Sequence, residues 1–378
     1  MSNLTKGSGL RPAGVLEFLR NNSVPIMFIL ICAFCIPRAG LSPSYLLNEV
    51  MTRLGRNSFL ILSLLIPVMA GMGLNFGMTL GAMAGQLGLI LVADWQVWGI
   101  PGLILAAIIS IPISILLGIM IGKLLNLAKG REMITSYMIS FAMDGVYQLV
   151  VLFMMGPIIP IIHDSLKLPR GYGIRNTVSL LNMRQSVDNL LAVNVGGVKI
   201  PVLTLIVIAA ACLFILWFRK TKLGQDMRAV GQDIEVARDA GINVERTRII
   251  SMVISTVFAG FGMIIYLQNV GNFPTYTAHT QIGMFSIAAL LVGGASVEKA
   301  GIKNVFLGVI LFHTMFIVAP RTGAAITGDS MIGEYFRVFV SYAVITVALV
   351  MYEAKKRKAK SQAGQQLAAE QEKEGEQA

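Results

Sequence analysis

About ten apolar stretches of near-spanning length follow one another along the chain, and this confines the fold more tightly than any single motif. A helix crossing the hydrocarbon core of a bilayer needs about 20 apolar residues, and backbone there must close its own hydrogen bonds. The stretches run Val24–Pro37, Phe59–Leu74, Phe76–Ala93, Ile100–Leu127, Met133–Ile162, Pro201–Phe218, Ile249–Tyr266, Ile282–Ser296, Val305–Ala319 and Phe336–Tyr352. Only 13% of the 378 residues are charged, against roughly a quarter in a soluble domain. The expectation is an all-α polytopic membrane protein of about ten transmembrane helices, with broken or half helices among them.

Charge supplies an orientation. Lys123, Lys129 and Arg131 follow the fourth stretch; Arg219, Lys220, Lys222, Arg228, Arg238, Arg246 and Arg248 follow the sixth. Lys299 and Lys303 follow the eighth, and Lys355, Lys356, Arg357, Lys358 and Lys360 the last. An even number of spans with both termini in the cytoplasm places all of these inside, as basic loops require. The loops holding Asp94, Asn272 and Asp329 then lie outside, although the outer segment also carries Lys167, Arg170, Arg175, Arg184 and Lys199. The expected division is a cytoplasmic N-terminal segment (1–22), a transmembrane domain (23–353) and a cytoplasmic basic, then polar, tail (354–378). The domain includes an outer loop (163–199) and a cytoplasmic loop (219–248). The net charge of +11 belongs to these inner loops. No stretch interleaves aromatic and basic residues as a nucleic-acid groove does, so nucleic acid is not an expected partner.

Cys32 and Cys35 are one helical turn apart in an apolar stretch and read as packing residues, like Cys212. His163, His279 and His313 are scattered without metal-ligand spacing, so no metal is expected. His313 reads as a satisfied packing residue inside a span, and His279 as an outer-loop residue beside Tyr276, placed to meet a partner protein.

Four features carry chemistry. Gly71-Met72-Gly73-Leu74-Asn75-Phe76-Gly77 separates two apolar stretches by almost nothing. It is either a tight turn at the membrane surface or irregular backbone lining a wet path. Gly77, Gly81 and Gly85 repeat every four residues, which lets a neighbouring helix approach backbone to backbone. Gln86 follows them and is a candidate for a cavity wall. Asp144 lies well inside a stretch, where a carboxylate is costly and functional by default. Tyr147 and Gln148, three and four residues on, share its face. A structural hydrogen bond to another helix is the competing reading for Asp144. Finally, in the 219–248 loop Asp233 can cap a short helix from Ile234 to Ala240, which Gly241 ends in a left-handed conformation. Such a helix between two spans is a natural contact for a soluble partner.

That loop, Ala229-Val230-Gly231 through Gly241-Ile242-Asn243-Val244, resembles the cytoplasmic loop of ABC importer permeases of the ribose/branched-chain amino acid type. Glu235, Ala237 and Gly241 fall on matching positions, and Val236 replaces a more usual alanine. Gly293-Gly294-Ala295-Ser296 is similar to a turn before that family's penultimate span. Leu74-Asn75-Phe76-Gly77 sits where the family's sugar permeases carry an Asp-containing motif and is closer to the versions in its amino-acid and nucleoside permeases. Glu132-Met133-Ile134-Thr135 resembles the opening of a span in the nucleoside/simple-sugar branch. The matches keep their order from about Tyr45 to Tyr352. The resemblance implies a coupling helix that docks on an ABC ATPase subunit, formed here by Asp233, Glu235, Ala237, Arg238 and Gly241. It implies a second permease as homo- or heterodimer partner, two ATPase subunits and an extracytoplasmic substrate-binding protein.

The sequence holds no G-x-x-x-x-G-K-[ST] loop for ATP phosphates. No cofactor is therefore expected on this chain, with ATP used by the partner, and no enzyme activity of its own. The expected function is alternating-access import of a simple sugar or nucleoside. Asn75, Phe76, Gln86, Asp144, Tyr147 and Gln148 would line the path, and Gly77, Gly81, Gly85, Gly293 and Gly294 would pack helices. The alternatives are a branched-chain amino acid permease and an ion-coupled secondary transporter using Asp144.

Overall fold

The computed structural model describes residues 22–297, 299–329, 331–339, 342, 343, 346, 347 and 350. The expected N-terminal segment before residue 22, the basic tail and most of the Phe336–Tyr352 stretch lie outside the described residues.

The first half comprises α1 (Ser23–Arg38), α2 (Pro43–Ser63), short α3 (Leu65–Met69), α4 (Met78–Asp94), α5 (Gly99–Leu127) and α6 (Glu132–Leu149), which ends in a π turn over Val150–Met154. An irregular segment then carries β1 (Thr177–Ser179), α7 (Ser186–Leu190), β2 (Ala192–Val195) and β3 (Val198–Pro201). The second half is α8 (Val202–Phe218), α9 (Lys222–Gln232), α10 (Ile234–Asp239), α11 (Val244–Val270), β4 (Asn272–Pro274), α12 (Ala278–Val292) and α13 (Ile302–Thr327). Residues 331–339 are also helical.

Among the described residues four helices are long and apolar enough to cross a membrane: α5, α6 with its π turn, α11 and α13. The α8–α9 pair, bent by 75°, is a fifth if taken as one span, and α1, α4 and α12 are shorter apolar helices. Apolar side chains such as Ile104, Leu116, Leu213 and Trp217 point outward, as lipid-facing residues do. The chain is therefore a polytopic helical membrane protein.

Three expected elements change their bounds. The Phe59–Leu74 stretch is the end of a helix that begins at Pro43 behind the Ser42 cap, followed by α3 and a break. The α2 start is polar (Asn48, Glu49, Thr52, Arg53), so apolar length alone hides it. The Met133–Ile162 stretch stops being helical at Met154, where Gly156 takes φ +107. The docking helix ends at Asp239 rather than Ala240.

The bundle core is α11 packed against α5 and α4. A Cβ on Gly81 would fall inside contact distance of the Thr256 carbonyl, and one on Gly85 against Gly260, one turn further along α11. Gly77 faces side-chain ends instead, the Cδ1 of Ile121 and the Cε of Met252. With no hydrophobic push between helices in lipid, close approach supplies the packing contacts. Gly293 lies against the Asn304 carbonyl, and Asn304 in turn donates to the Gly293 carbonyl (2.8 Å), joining α12 to α13. Gly294, at φ +82, completes that turn.

Two buried carboxylates fasten the irregular 155–201 segment. Asp94 is buried: it accepts from the Ile162 and His163 amides (2.8–2.9 Å) and so anchors that segment to the end of α4. Asp188 accepts from Asn269 (2.7 Å), Gln268 (3.2 Å) and the Thr204 hydroxyl. Strand β1 also pairs antiparallel with β4, immediately beyond α11. Replacing Asp188 with alanine would orphan three buried donors. We expect a loss of about 3 kcal/mol, read as a lowered melting temperature in detergent, with Asp188→Asn closer to native.

Candidate functional site

The chain breaks between α3 and α4 over residues 70–77. Gly71 (φ +72) and Gly73 (φ +68) need the left-handed region, which only glycine enters cheaply. Gly71 is exposed and Met72, Leu74 and Asn75 are buried, so the break starts at a surface and runs into backbone enclosed by protein. Buried backbone donors need partners, and two of its amides find side-chain oxygens. The Gly77 amide donates to Asn75 Oδ1 (2.7 Å), and the Phe76 amide to Ser136 Oγ on α6 (3.2 Å).

Beyond the break, Phe76 and Thr79 open onto a cavity of about 500 Å³. Tyr137, Ser140, Phe141 and Asp144 of α6 form one wall. Met284 and Phe285 of α12, Phe316 of α13 and Arg337 form the other. The Phe76 ring meets Tyr137 edge to face at 5.0 Å. The cavity thus has an aromatic lining with Thr79, Ser140, Asp144, Thr280, Gln281 and Arg337 as polar points, a composition typical of small-solute sites.

Asp144 does not stand alone. His279 Nε2 contacts its Oδ1 at 2.7 Å, and Gln148 Nε2 donates to its Oδ2 at 3.1 Å. His279 Nδ1 contacts Gln86 Oε1 at 2.8 Å. A carboxylate only accepts, so Nε2 carries a hydrogen. Gln86 either accepts from a protonated Nδ1 or, with its amide turned, donates to a bare one. The Tyr147 ring packs edge to face on His279 at 4.8 Å, and its hydroxyl has no hydrogen-bond partner among the described residues. His279 is therefore no outer-loop residue: it is fully buried in the first turn of α12. One Asp144 oxygen bonds another helix, as the structural reading expects, and the side chain, 24% exposed, also borders the cavity. Of the six expected path residues, Phe76 and Asp144 line the cavity. Asn75, Gln86, Tyr147 and Gln148 sit behind them. His313 is buried in α13 and its Nδ1 has no partner among the described residues, so it is not the satisfied packing residue expected.

At the end of the bundle carrying Asp233, the 219–248 loop folds as α9 and α10. Asp233 Oδ1 accepts from the Glu235 and Val236 amides (2.8 and 3.1 Å), the cap its position predicts. Gly241 at φ +80 follows the helix end. Ala237 is buried against Val230 and Val244, whereas Glu235, Val236 and Arg238 are exposed. Arg238 reaches only Glu235 (2.8 Å), an exposed pair that contributes little. The loop also touches the break directly: a Cβ on Gly71 would lie 2.8 Å from Gly231 Cα. Between them opens a wide vestibule bordered by Gly71–Gly73, Arg131, Glu132, Arg228, Asp233 and Lys299.

Residues 47–349 match the family model described as the branched-chain amino acid transport system / permease component. The chain belongs to that permease family. The permease is 24% identical over 321 residues to a nucleoside ABC transporter permease, NupB, of Lactococcus lactis, covering 82% of this chain and 79% of that one. It is 25% identical over 287 residues to an autoinducer 2 import permease, LsrC, of an Enterobacter strain, covering 74% and 73%. A shorter match, 35% over 115 residues, links it to a xylose transport permease, XylH, of Haemophilus influenzae, covering 30% of this chain and 29% of that one. No solved structure matches the chain. The permease is thus a membrane subunit of an ABC transporter and not an enzyme; ATP hydrolysis falls to a partner ATPase, and solute delivery to a substrate-binding partner.

Proposed function

We propose that this permease imports a nucleoside or simple sugar by alternating access, with the Phe76–Asp144 cavity as its solute site. The observation that carries the reading is the cavity itself. Its volume lies within the usual range for small-molecule sites, and its aromatic lining with hydroxyl and carboxylate points suits a ring bearing hydroxyl groups. The nucleoside, xylose and autoinducer 2 assignments of the relatives support the same solute class. A branched-chain amino acid has less in its favour.

In this reading the chain has about ten spans. They are the four long helices, α8, the three short apolar helices, α2 with α3, and the Phe336–Tyr352 stretch. The Asp233 end, with its many basic residues, faces the cytoplasm together with both termini. The 1–22 segment, the 219–248 loop and the 354–378 tail lie on that side, and the 163–199 segment outside. A second permease, identical or not, completes the path. The chain binds no cofactor, and ATP acts through α10, where Asp233, Glu235, Ala237, Arg238 and Gly241 make the docking helix. Closure of the ATPase subunits pulls α10, and the Gly231–Gly71 contact carries the pull into the break.

The test is energetics. Uptake of radiolabelled uridine or xylose into vesicles should stop on ATP depletion and survive an ionophore that collapses ion gradients. Gradient dependence would instead make Asp144 the coupling carboxylate of a secondary transporter.

Gly241→Arg separates docking from folding. A Cβ there meets nothing within 4 Å, so the variant bears only the left-handed backbone strain, about 1–2 kcal/mol. It should insert at native levels, yet its partner's ATP hydrolysis should no longer drive uptake. Normal uptake would remove α10 from the coupling role.

A further inference from the structure

One helix is held in an unusual way. Of the eighteen residues of α6 only Ser136 and Tyr147 are buried, and Ile134, Met138 and Phe141 point away from the bundle. What fastens α6 is a polar ladder at every fourth residue, Glu132, Ser136, Ser140 and Asp144, with Gln148 bonded back to Asp144 in the same helix. A four-residue step turns about 40° around a helix, so successive rungs meet different elements. Glu132 meets Arg248 of α11, and Ser136 the Phe76 amide of the break. Ser140 meets Thr79 of α4, and Asp144 meets His279 of α12.

The first rung is the strongest and the one nearest α10. Arg248 is fully buried, and its Nη2 donates to Glu132 Oε1 at 2.7 Å and more weakly to the Leu125 carbonyl at 3.4 Å. Its Nε and Nη1 have no partner among the described residues. A buried guanidinium engaged through one nitrogen has donors in reserve for the second carboxylate oxygen, so a small shift of α6 along α11 can be met without breaking the pair. Arg248 also lies one turn beyond Val244, which packs with Ala237 of α10 in one apolar cluster. Asp144 is twelve residues up α6 from Glu132, about 18 Å at helical rise.

We propose that the Arg248–Glu132 pair is the joint that transmits displacement of α10 to α6 and so positions Asp144 in the transport cycle. This rests on the proposed docking of an ATPase at α10. Neither residue touches the solute cavity, so both are positioning residues.

The experiment uses the assembled complex, purified with its ATPase subunits, with spin labels at Met138→Cys on α6 and Ile104→Cys on α5. The native Cys32, Cys35 and Cys212 are replaced by alanine. Removing one partner of a buried pair strands the other charge, so the informative variant is the neutral double Glu132→Gln/Arg248→Met, alongside the charge-reversed Glu132→Arg/Arg248→Glu. In the parent, ATP with orthovanadate should shift the label-to-label distance. The neutral double should lose the shift while its ATPase subunits still co-purify and hydrolyse ATP, and the charge-reversed pair should regain it. A full shift in the neutral double, or no shift in the parent, overturns the proposal. Failure of any ATPase to co-purify with the parent would strike the docking reading instead.

Discussion

Gly81→Ala should destabilise the permease by about 3 kcal/mol or more, whereas Gly145→Ala, the same change in another helix interior, should be neutral or slightly stabilising. In α4 the new Cβ meets the Thr256 carbonyl, with Thr256 Cα 2.8 Å away. Those are backbone atoms of α11 and cannot swing aside as a flexible side chain would. The α4–α11 crossing must therefore widen, and with it the contacts of Gly77 and Gly85 on the same face. At Gly145, on the exposed side of α6, a Cβ meets nothing within 4 Å. Alanine there removes only chain entropy from the unfolded state, worth about 0.4–1 kcal/mol in favour of folding. Thermal aggregation midpoints of the two variants in mild detergent would decide it. Equal midpoints would mean that α4 and α11 do not cross backbone to backbone at Gly81.

Asp144→Ala should insert normally but take up solute far more slowly. The substitution removes the carboxylate from the cavity and leaves His279 Nε2 and Gln148 Nε2 without the acceptor they share. A hydrogen bond to a charged group contributes about 1.5–3 kcal/mol, so uptake at low solute concentration should fall about 10- to 100-fold. Asp144→Asn keeps an oxygen for His279 and should fall less. His279→Ala leaves Asp144 its cavity position and its Gln148 contact, so it should mainly disturb orientation. Initial uptake rates across a solute series separate these cases. Native uptake by Asp144→Ala would move the solute site elsewhere.

Much of this arrangement is legible in the residues, and the omissions share a physical cause. Apolar length marks α5 and α11 well because both are buried by lipid and protein along their length. It fails for α2, whose first half is polar, and at Met154, where apolar residues continue in irregular backbone. Asp233 and Gly241 can be read because capping is local chemistry that depends on two or three neighbours. His279 cannot, because its partners Gln86 and Asp144 lie 193 and 135 residues away in sequence. Asp188 is hidden likewise, its acceptor role resting on Gln268 and Asn269. The ladder on α6 is the missed local signal: Glu132, Ser136, Ser140 and Asp144, at four-residue spacing in an apolar stretch, already mark one helical edge as bonded to protein.

If α10 is where this membrane subunit receives work from an ATPase, its exposed face must hold that partner. Val236, Glu235 and Arg238 stand exposed there, on a helix capped and ended by its own residues. The most direct measurement is affinity purification of the permease in mild detergent, followed by identification of the proteins that come with it. A P-loop ATPase should be recovered with the native chain and lost when Glu235 and Gly241 are both replaced, the permease itself remaining folded and monodisperse. A homogeneous, folded permease carrying no ATPase, or an ATPase retained undiminished by the double variant, would contradict the coupling role of α10.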